Sequence, residues 1–149
     1  FNFGWRNLGD VQREAIVMEQ LTAYQNIITA YGYCGTSILT EAVQFEVEPT
    51  VIAGTGYQNE DVREPQNDLT DKERYDMAIQ MAESIAVLHS RSIVHDDIQL
   101  QQWLRNKDGR LKLGDFNRAT IMSYNVKTNE FCKFSNGQAF GNVRILLIA

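Results

Sequence analysis

The first regular alternation of apolar and polar positions covers residues 10–22, DVQREAIVMEQLT. Four apolar residues recur there at helical spacing: Val11, Ala15, Met18 and Leu21. Good helix formers fill most positions between them. The pattern therefore predicts an amphipathic helix, and Glu14 stands at the edge of its apolar face.

The pattern then changes to two runs rich in apolar, aromatic and β-branched residues, NIITAYGYC at 26–34 and TSILTEAV at 36–43. These runs flank the pair Gly35-Thr36 and predict an antiparallel hairpin. The sequence from 44 to 69 is polar and irregular and holds both prolines. We interpret it as a long loop or insertion with one short element.

A second helix is predicted from residue 70 onward, where Thr70 and Glu73 form the capping-box pattern T-x-x-E. One apolar stripe follows at helical spacing: Tyr75, Ala78, Ile79, Ala82, Ile85, Ala86 and His89. Met77, Met81 and Leu88 widen this stripe. We therefore predict a helix that is buried on most sides.

The pattern after this helix predicts three short strand-like segments, near residues 93–94, 102–105 and 110–113. NKDG at 106–109 is typical of a turn between the last two. Asp97 and Asp115 are acidic residues that close short apolar runs on the two sides of this turn. Asp97 and Asp115 are therefore the first candidates for catalytic or metal-binding residues.

Composition narrows the function classes. The chain of 149 residues is 44% apolar and 22% charged, as in ordinary soluble domains. Its net charge of −5 and lack of a basic run argue against nucleic-acid and anionic-membrane partners. Two isolated cysteines and two histidines fit no zinc-site spacing. With no basic-then-apolar leader, the sequence predicts an intracellular, cytoplasmic protein with reduced thiols.

Two motifs carry a family resemblance. HDDIQLQQ at 95–102 is similar to the protein kinase pattern H-R-D-L-x-x-x-N, and Asp115-Phe116-Asn117 is similar to D-F-G. The order of helix, hairpin, loop, long helix and these two motifs resembles the middle of a protein kinase domain, over roughly 11–144.

The resemblance implies an α+β, protein kinase-like fold that is incomplete in this chain. Residues 1–43 would be a remnant of the small lobe and hinge. Residues 44–69 would be a loop or insertion, and 70–149 would start the large lobe and run through the activation segment.

The resemblance also implies the nucleotide-binding residues. Glu14 takes the position of the ion-pairing glutamate of the small lobe, and Thr40 that of the residue at the back of the adenine pocket. The backbone from Glu41 to Val43 would meet the adenine edge of ATP.

The resemblance further places the catalytic base at Asp97 and a Mg²⁺ ligand at Asp115. Gln102 stands in place of the Asn that binds a second metal ion, on an arm one methylene longer. Gln99 stands where many kinases carry a Lys, so it offers a hydrogen bond but no charge. ATP, Mg²⁺ and a protein substrate are the implied partners.

Other departures are just as clear. Asp96 replaces the Arg that pairs with a phosphorylated activation loop. Asn117 replaces the Gly of D-F-G, and since Asn tolerates positive φ we expect the turn to be retained there. The sequence has no Gly-rich phosphate loop before Glu14 and no Lys before Lys72. We therefore expect this chain by itself to be inactive.

Two functions stay open. One is a protein kinase that transfers the γ-phosphate of ATP to a Ser, Thr or Tyr hydroxyl. The other is a pseudokinase-type binding or scaffold module without phosphotransfer, which the residues at 96, 99, 102 and 117 favour.

Overall fold

The computed structural model describes residues 5–53, 64–65 and 69–132, and the first helix lies at the start of this part of the chain. This helix, α1, spans Trp5–Leu21 and thus begins well before the predicted start at residue 10. It continues through Gly9, whose helix penalty of about 1 kcal/mol the rest of the segment offsets. The predicted apolar face is confirmed, since three of its four members are buried: Ala15, Met18 and Leu21.

The predicted hairpin is also present. Strand β1, Ala30–Cys34, pairs antiparallel with β2, Ser37–Thr40. Gly35 has φ 60° at the first of the two turn positions, which fits a type II′ turn.

The region predicted as a long loop holds more structure than expected. It contains β3, Phe45–Glu46, and a short helix α2, Glu48–Val51. Strand β4, Ile52–Ala53, pairs with β5, Glu64–Pro65. The prediction of a single short element is therefore wrong. These elements are too short to produce a readable periodicity, although Val47 between them is fully buried.

The second predicted helix is α3, Asp71–Ser90, and its capping box is confirmed. The Thr70 hydroxyl accepts a hydrogen bond from the Glu73 amide at 3.3 Å. In return, the Glu73 carboxylate accepts one from the Thr70 amide at 2.8 Å. These bonds satisfy two backbone donors at the start of the helix.

The prediction that α3 is buried on most sides is wrong for the described residues. Tyr75 is 67% exposed and Ile79 is 40% exposed, and the alanines of the predicted stripe are exposed as well. The buried face carries Met77, Ser84 and Leu88 instead. Ser84 is in the core because its hydroxyl accepts a hydrogen bond from the Trp103 indole at 3.4 Å. A count of apolar residues cannot detect such a polar core position.

Four short elements follow α3: β6, Ile93–Val94; a 3₁₀ helix, Leu100–Gln102; β7, Trp103–Arg105; and β8, Leu111–Leu113. All three predicted strands are confirmed to within about a residue. In the turn between β7 and β8, the Asn106 side chain accepts hydrogen bonds from two backbone amides, and Gly109 has φ 81°. Strands β3, β7 and β8 form one antiparallel sheet in that order.

Up to residue 132, three strands lie beyond the second acidic motif: β9, Thr120–Ile121; β10, Tyr124–Asn125; and β11, Glu130–Phe131. Strand β9 pairs with β6, and β10 pairs with β11. The remainder of the region predicted as 70–149 lies outside the described residues.

The main core joins the two halves of the chain. Ile27 forms a parallel bridge with Leu113 of β8, and the Ile28 amide donates to the Leu113 carbonyl at 3.0 Å. The following side chains are fully buried: Val17, Leu21, Ile27, Val47, Leu88, Ile93, Leu111, Leu113 and Phe116. The structure is α+β, as predicted. In the described parts of the chain, no helix combines the length and apolarity that crossing a bilayer requires.

Candidate active site

Two loops lie side by side at the end of the β7–β8 hairpin. The first runs from 95 to 99 after β6, and the second from 114 to 119 after β8. The Gly114 amide donates to the Gln102 carbonyl at 2.9 Å, which holds the loops together at one end. The β6–β9 pairing holds them at the other end, and the Met122 amide extends it by donating to the Ser92 carbonyl at 2.7 Å.

His95 links the two loops from inside. Its side chain is 2% exposed, and its Nε2 lies 2.9 Å from the Gly114 carbonyl oxygen. Because a carbonyl oxygen can only accept, Nε2 carries the hydrogen. Burial lowers the pKa of His95, although the Gly114 hydrogen bond and the nearby aspartates oppose that shift. A neutral, buried His95 therefore orients the loops, as expected for a structural histidine.

Asp97 is held by side chains from both loops. Its Oδ1 accepts a hydrogen bond from Gln99 Nε2 at 2.7 Å. Its Oδ2 lies 3.5 Å from Gln102 Nε2 and 3.3 Å from Arg118 Nη1. The side chain is 18% exposed, so the carboxylate is fixed in direction but still open to the surface.

Backbone strain marks both loops. Asp96 has φ 64° and Asp115 has φ 57°, in the left-handed region that few residues other than glycine adopt. The expectation that Asn117 would carry the positive φ of this turn is wrong, since that angle falls on Asp115. In this conformation Asp115 is exposed while Phe116, next in sequence, is fully buried.

Glu14 reaches the second loop from α1. Its carboxylate accepts a hydrogen bond from the Phe116 amide at 3.3 Å. Burial and the nearby charge of Asp115 raise the pKa of Glu14, and the Phe116 hydrogen bond partly offsets this. Within the described residues, no Lys or Arg forms an ion pair with Glu14. Glu14 and Asp115 therefore bring two acidic side chains to the second loop.

The segment after β2 is fixed at both ends. The Glu41 amide donates to the Thr29 carbonyl at 2.9 Å, and the Gln44 amide donates to the Arg105 carbonyl at 3.3 Å. The Glu41 carbonyl and the Val43 backbone lie between these two bonds. Thr40 is half-buried at the end of β2, opposite Ala30.

The side chain of Glu41 forms an ion pair with the buried Lys112. Its Oε1 accepts hydrogen bonds from Lys112 Nζ at 2.8 Å and from the Thr29 amide at 2.7 Å. Burial raises the pKa of Glu41, but the bonds from Lys112 and Thr29 outweigh it and leave the pKa below its usual value.

This arrangement agrees with a comparison against protein families, in which the model described as "Protein kinase domain" matches residues 4–136, most of the chain. The chain belongs to this protein kinase family. The α+β fold and the resemblance inferred from the two motifs are thus confirmed.

Most of the predicted kinase residues come together. Asp97, Gln99 and Gln102 are joined by direct contacts, and Asp115 follows Gly114, which is bonded to Gln102. Glu14 approaches the same loop. Thr40 to Val43 form a separate segment, which the Glu41–Lys112 pair ties to β8, the strand that leads to Asp115.

The donor set fits a magnesium ion that arrives with a nucleotide. Asp115 and Gln102 offer carboxylate and amide oxygens, the ligand type that Mg²⁺ prefers. No cluster of three or more His, Cys, Asp or Glu side chains suited to a metal ion occurs in the described ranges. Magnesium in phosphotransferases usually binds one or two carboxylates plus substrate phosphates, so a protein-only cage is not required.

Two charged residues of the site were missed by sequence reasoning, Lys112 and Arg118. Lys112 lies in the middle of a strand, where alternation predicts an ordinary exposed lysine. Arg118 lies one residue beyond the D-F-N motif and belongs to no pattern. The sequence signal that could have found them is that both positive residues lie within three positions of Asp115, in a chain whose net charge is negative.

Proposed function

We propose that this protein kinase domain transfers the γ-phosphoryl group of ATP to a Ser, Thr or Tyr hydroxyl of a protein substrate. The main support is that Asp97 and Asp115 lie on two loops that are bonded side by side, with the Gln102 amide in contact with Asp97. Phosphoryl transfer needs a base and a cation site on neighbouring parts of one site.

Asp97 serves as the base. The substrate oxygen forms a bond to the γ-phosphorus while the bond from that phosphorus to the β,γ-bridging oxygen breaks. The hydroxyl proton passes to the Asp97 carboxylate, and ADP leaves. The hydrogen bond from Gln99 keeps one oxygen of Asp97 in place, so that the carboxylate is oriented before the substrate binds.

Asp115 and Gln102 hold Mg²⁺. When bound, the ion neutralises charge on the phosphate oxygens. Gln102 donates from its amide nitrogen toward Asp97, so its amide oxygen is the atom that serves the metal. Because its side chain is one methylene longer, Gln102 binds the second metal ion more weakly than an Asn at this position would.

The adenine ring of ATP binds along the segment from Glu41 to Val43. The Glu41 carbonyl and the Val43 amide supply one acceptor and one donor, and Thr40 lines the back of the pocket. The Glu41–Lys112 ion pair holds this segment against β8. Glu14 orients the second loop through the Phe116 amide.

The direct experiment compares phosphate transfer by the full-length protein and its Asp97→Asn variant. Removing the base should lower kcat by about 10²- to 10⁴-fold and leave Mg²⁺-dependent ATP binding nearly unchanged. Asp108→Asn in the exposed β7–β8 turn is the matched control and should keep full activity. Equal rates for Asp97→Asn and the parent would remove Asp97 from this role.

A second candidate is a binding module without phosphotransfer. One observation favours it: the Asp97 carboxylate is already in contact with Gln99, Gln102 and Arg118. This candidate predicts partner binding that is indifferent to Asp97→Asn. Thermal unfolding with ATP, measured with and without Mg²⁺, separates the two, since a Mg²⁺-dependent rise in Tm contradicts a pure scaffold.

A further inference from the structure

The side chain of Arg118 brings a positive charge to the proposed base. Its Nη1 lies 3.3 Å from Asp97 Oδ2, and the two side chains are 42% and 18% exposed. An ion pair on an open surface is worth little by itself. This pair, however, lies at the position where the proposed reaction takes place.

The backbone around Arg118 is fixed on both sides. Phe116, two residues earlier, is fully buried, and its carbonyl accepts a hydrogen bond from the Ala119 amide at 3.0 Å. Strand β9 begins at Thr120 and pairs with β6. Arg118 is therefore presented to Asp97 from a short, anchored turn rather than from a free loop.

The negative charges around the site favour a cation there. Asp96, Asp97 and Asp115 all act electrostatically on His95, and Asp115 also acts on Glu14. A triphosphate adds further negative charge, and its γ-phosphoryl group gains from a positive group that is aimed at it in the transition state.

Besides Arg118, the side chains in contact with Asp97 are neutral amides, Gln99 of the first loop and Gln102 of the 3₁₀ helix that follows it. Arg13 lies near the same turn, but its Nη1 donates to the Asn117 carbonyl at 3.1 Å and approaches Asp10. In the described residues, the ion pair of Asp97 is the one with Arg118.

We propose that Arg118 is a catalytic residue that stabilises the transferring γ-phosphoryl group beside Asp97. The inference rests on the proposed phosphotransfer function. A guanidinium has five N–H donors in a fixed fork, so it can contact Asp97 and a phosphoryl oxygen together. The hydroxyl proton goes to Asp97, as in the proposed reaction. The cation thus comes from the turn after D-F-N, because Gln99 in the first loop carries none.

The test uses the full-length protein and four variants. Arg118→Gln should lower kcat by about 10²- to 10³-fold, as is typical for the loss of one stabilising donor. Gln99→Lys combined with Arg118→Gln should recover part of this loss, since it returns a cation to the same place. Arg118→Lys should be intermediate. Arg110→Gln, an exposed arginine bonded to Gln25 elsewhere, is the control and should match the parent.

Equilibrium binding gives a second measurement that a structural role would not change. In the presence of Mg²⁺, the parent should prefer ATP over ADP, because ATP alone carries the γ-phosphate. Arg118→Gln should reduce that preference at least several-fold, and the Gln99→Lys double variant should restore part of it. Tm should change no more than it does for Arg110→Gln.

Two outcomes overturn the inference while leaving the proposed function in place. In one, the parent transfers phosphate and Arg118→Gln keeps both its kcat and its ATP preference. In the other, Arg118→Gln is faster than the parent, which would make Arg118 a block on Asp97. A parent that transfers no phosphate refutes the proposed function, and the inference with it.

Discussion

The ion pair between the half-buried Glu41 and the buried Lys112 predicts an asymmetric response to mutation. The Lys112 side chain is 9% exposed and that of Glu41 is 20% exposed, and their charged atoms lie 2.8 Å apart. Besides its bond to Glu41, Lys112 Nζ donates a hydrogen bond to the Ile27 carbonyl at 3.3 Å. Glu41 also has one further partner, the Thr29 amide, but that hydrogen bond is shorter, at 2.7 Å, and the Glu41 side chain is the more exposed of the two.

The expected loss of unfolding free energy depends on which charged group each substitution leaves without its partner. Glu41→Met leaves a nearly buried ammonium group with one carbonyl partner, which should cost about 3–5 kcal/mol of unfolding free energy. Lys112→Met leaves a carboxylate that keeps the Thr29 hydrogen bond and reaches water, so a cost of about 1–2 kcal/mol is expected. The double variant should lose less than Glu41→Met alone, because no buried charge is left without its partner.

The assay is a double-mutant cycle in urea, followed by tryptophan fluorescence, to which the buried Trp103 contributes. The exposed pair Lys72–Asp76, with side chains 84% and 47% exposed, supplies the control, and Lys72→Met should leave the urea midpoint nearly unchanged. If Lys112→Met proves as costly as Glu41→Met, or the double variant is the least stable of all, the asymmetry argument is refuted.

Two further predictions concern the second loop. The raised pKa of Glu14 means that its stabilising, protonated form is fully present below the unfolded-state pKa of about 4.3 and is lost as pH rises through the folded-state value. Without metal ions, Glu14→Gln should therefore raise the urea midpoint at pH 7 but not near pH 3, and a lower midpoint at pH 7 would contradict this. A Cβ on Gly114 would lie 2.5 Å from Cδ1 at the end of the buried Ile28 side chain, so Ile28 must shift within the core and Gly114→Ala should lower Tm in a thermal melt. Gly32→Ala, with no atom within 4 Å of the new Cβ, should cost nothing, and an equal loss of Tm in both would refute the packing argument.

Local signals in the sequence predicted local structure well. The capping box of α3, the two-residue turn at Gly35 and the Asn106 turn each depend on a few neighbouring residues. The two acidic motifs were recognisable for the same reason, since each is a short continuous pattern beside a strand.

What the sequence could not predict depends on contacts between distant segments. The apolar stripe of α3 did not reveal which face would pack, and the buried face includes Ser84 because Trp103 donates to it. Lys112 and Arg118 take their places through partners 71 and 21 positions away, Glu41 and Asp97, which no periodicity connects.

The bonding between the two site loops also limits how the length of the chain can vary. Gly114 bonded to Gln102, and Met122 bonded to Ser92, fix the number of residues on both sides of Asp97 and Asp115. An insertion or deletion between these bonds would move one carboxylate away from the other while leaving every side chain of the motifs intact. The exposed turn at 106–109 carries no such restriction. Length changes among related sequences should therefore collect in that turn and be absent from the two loops.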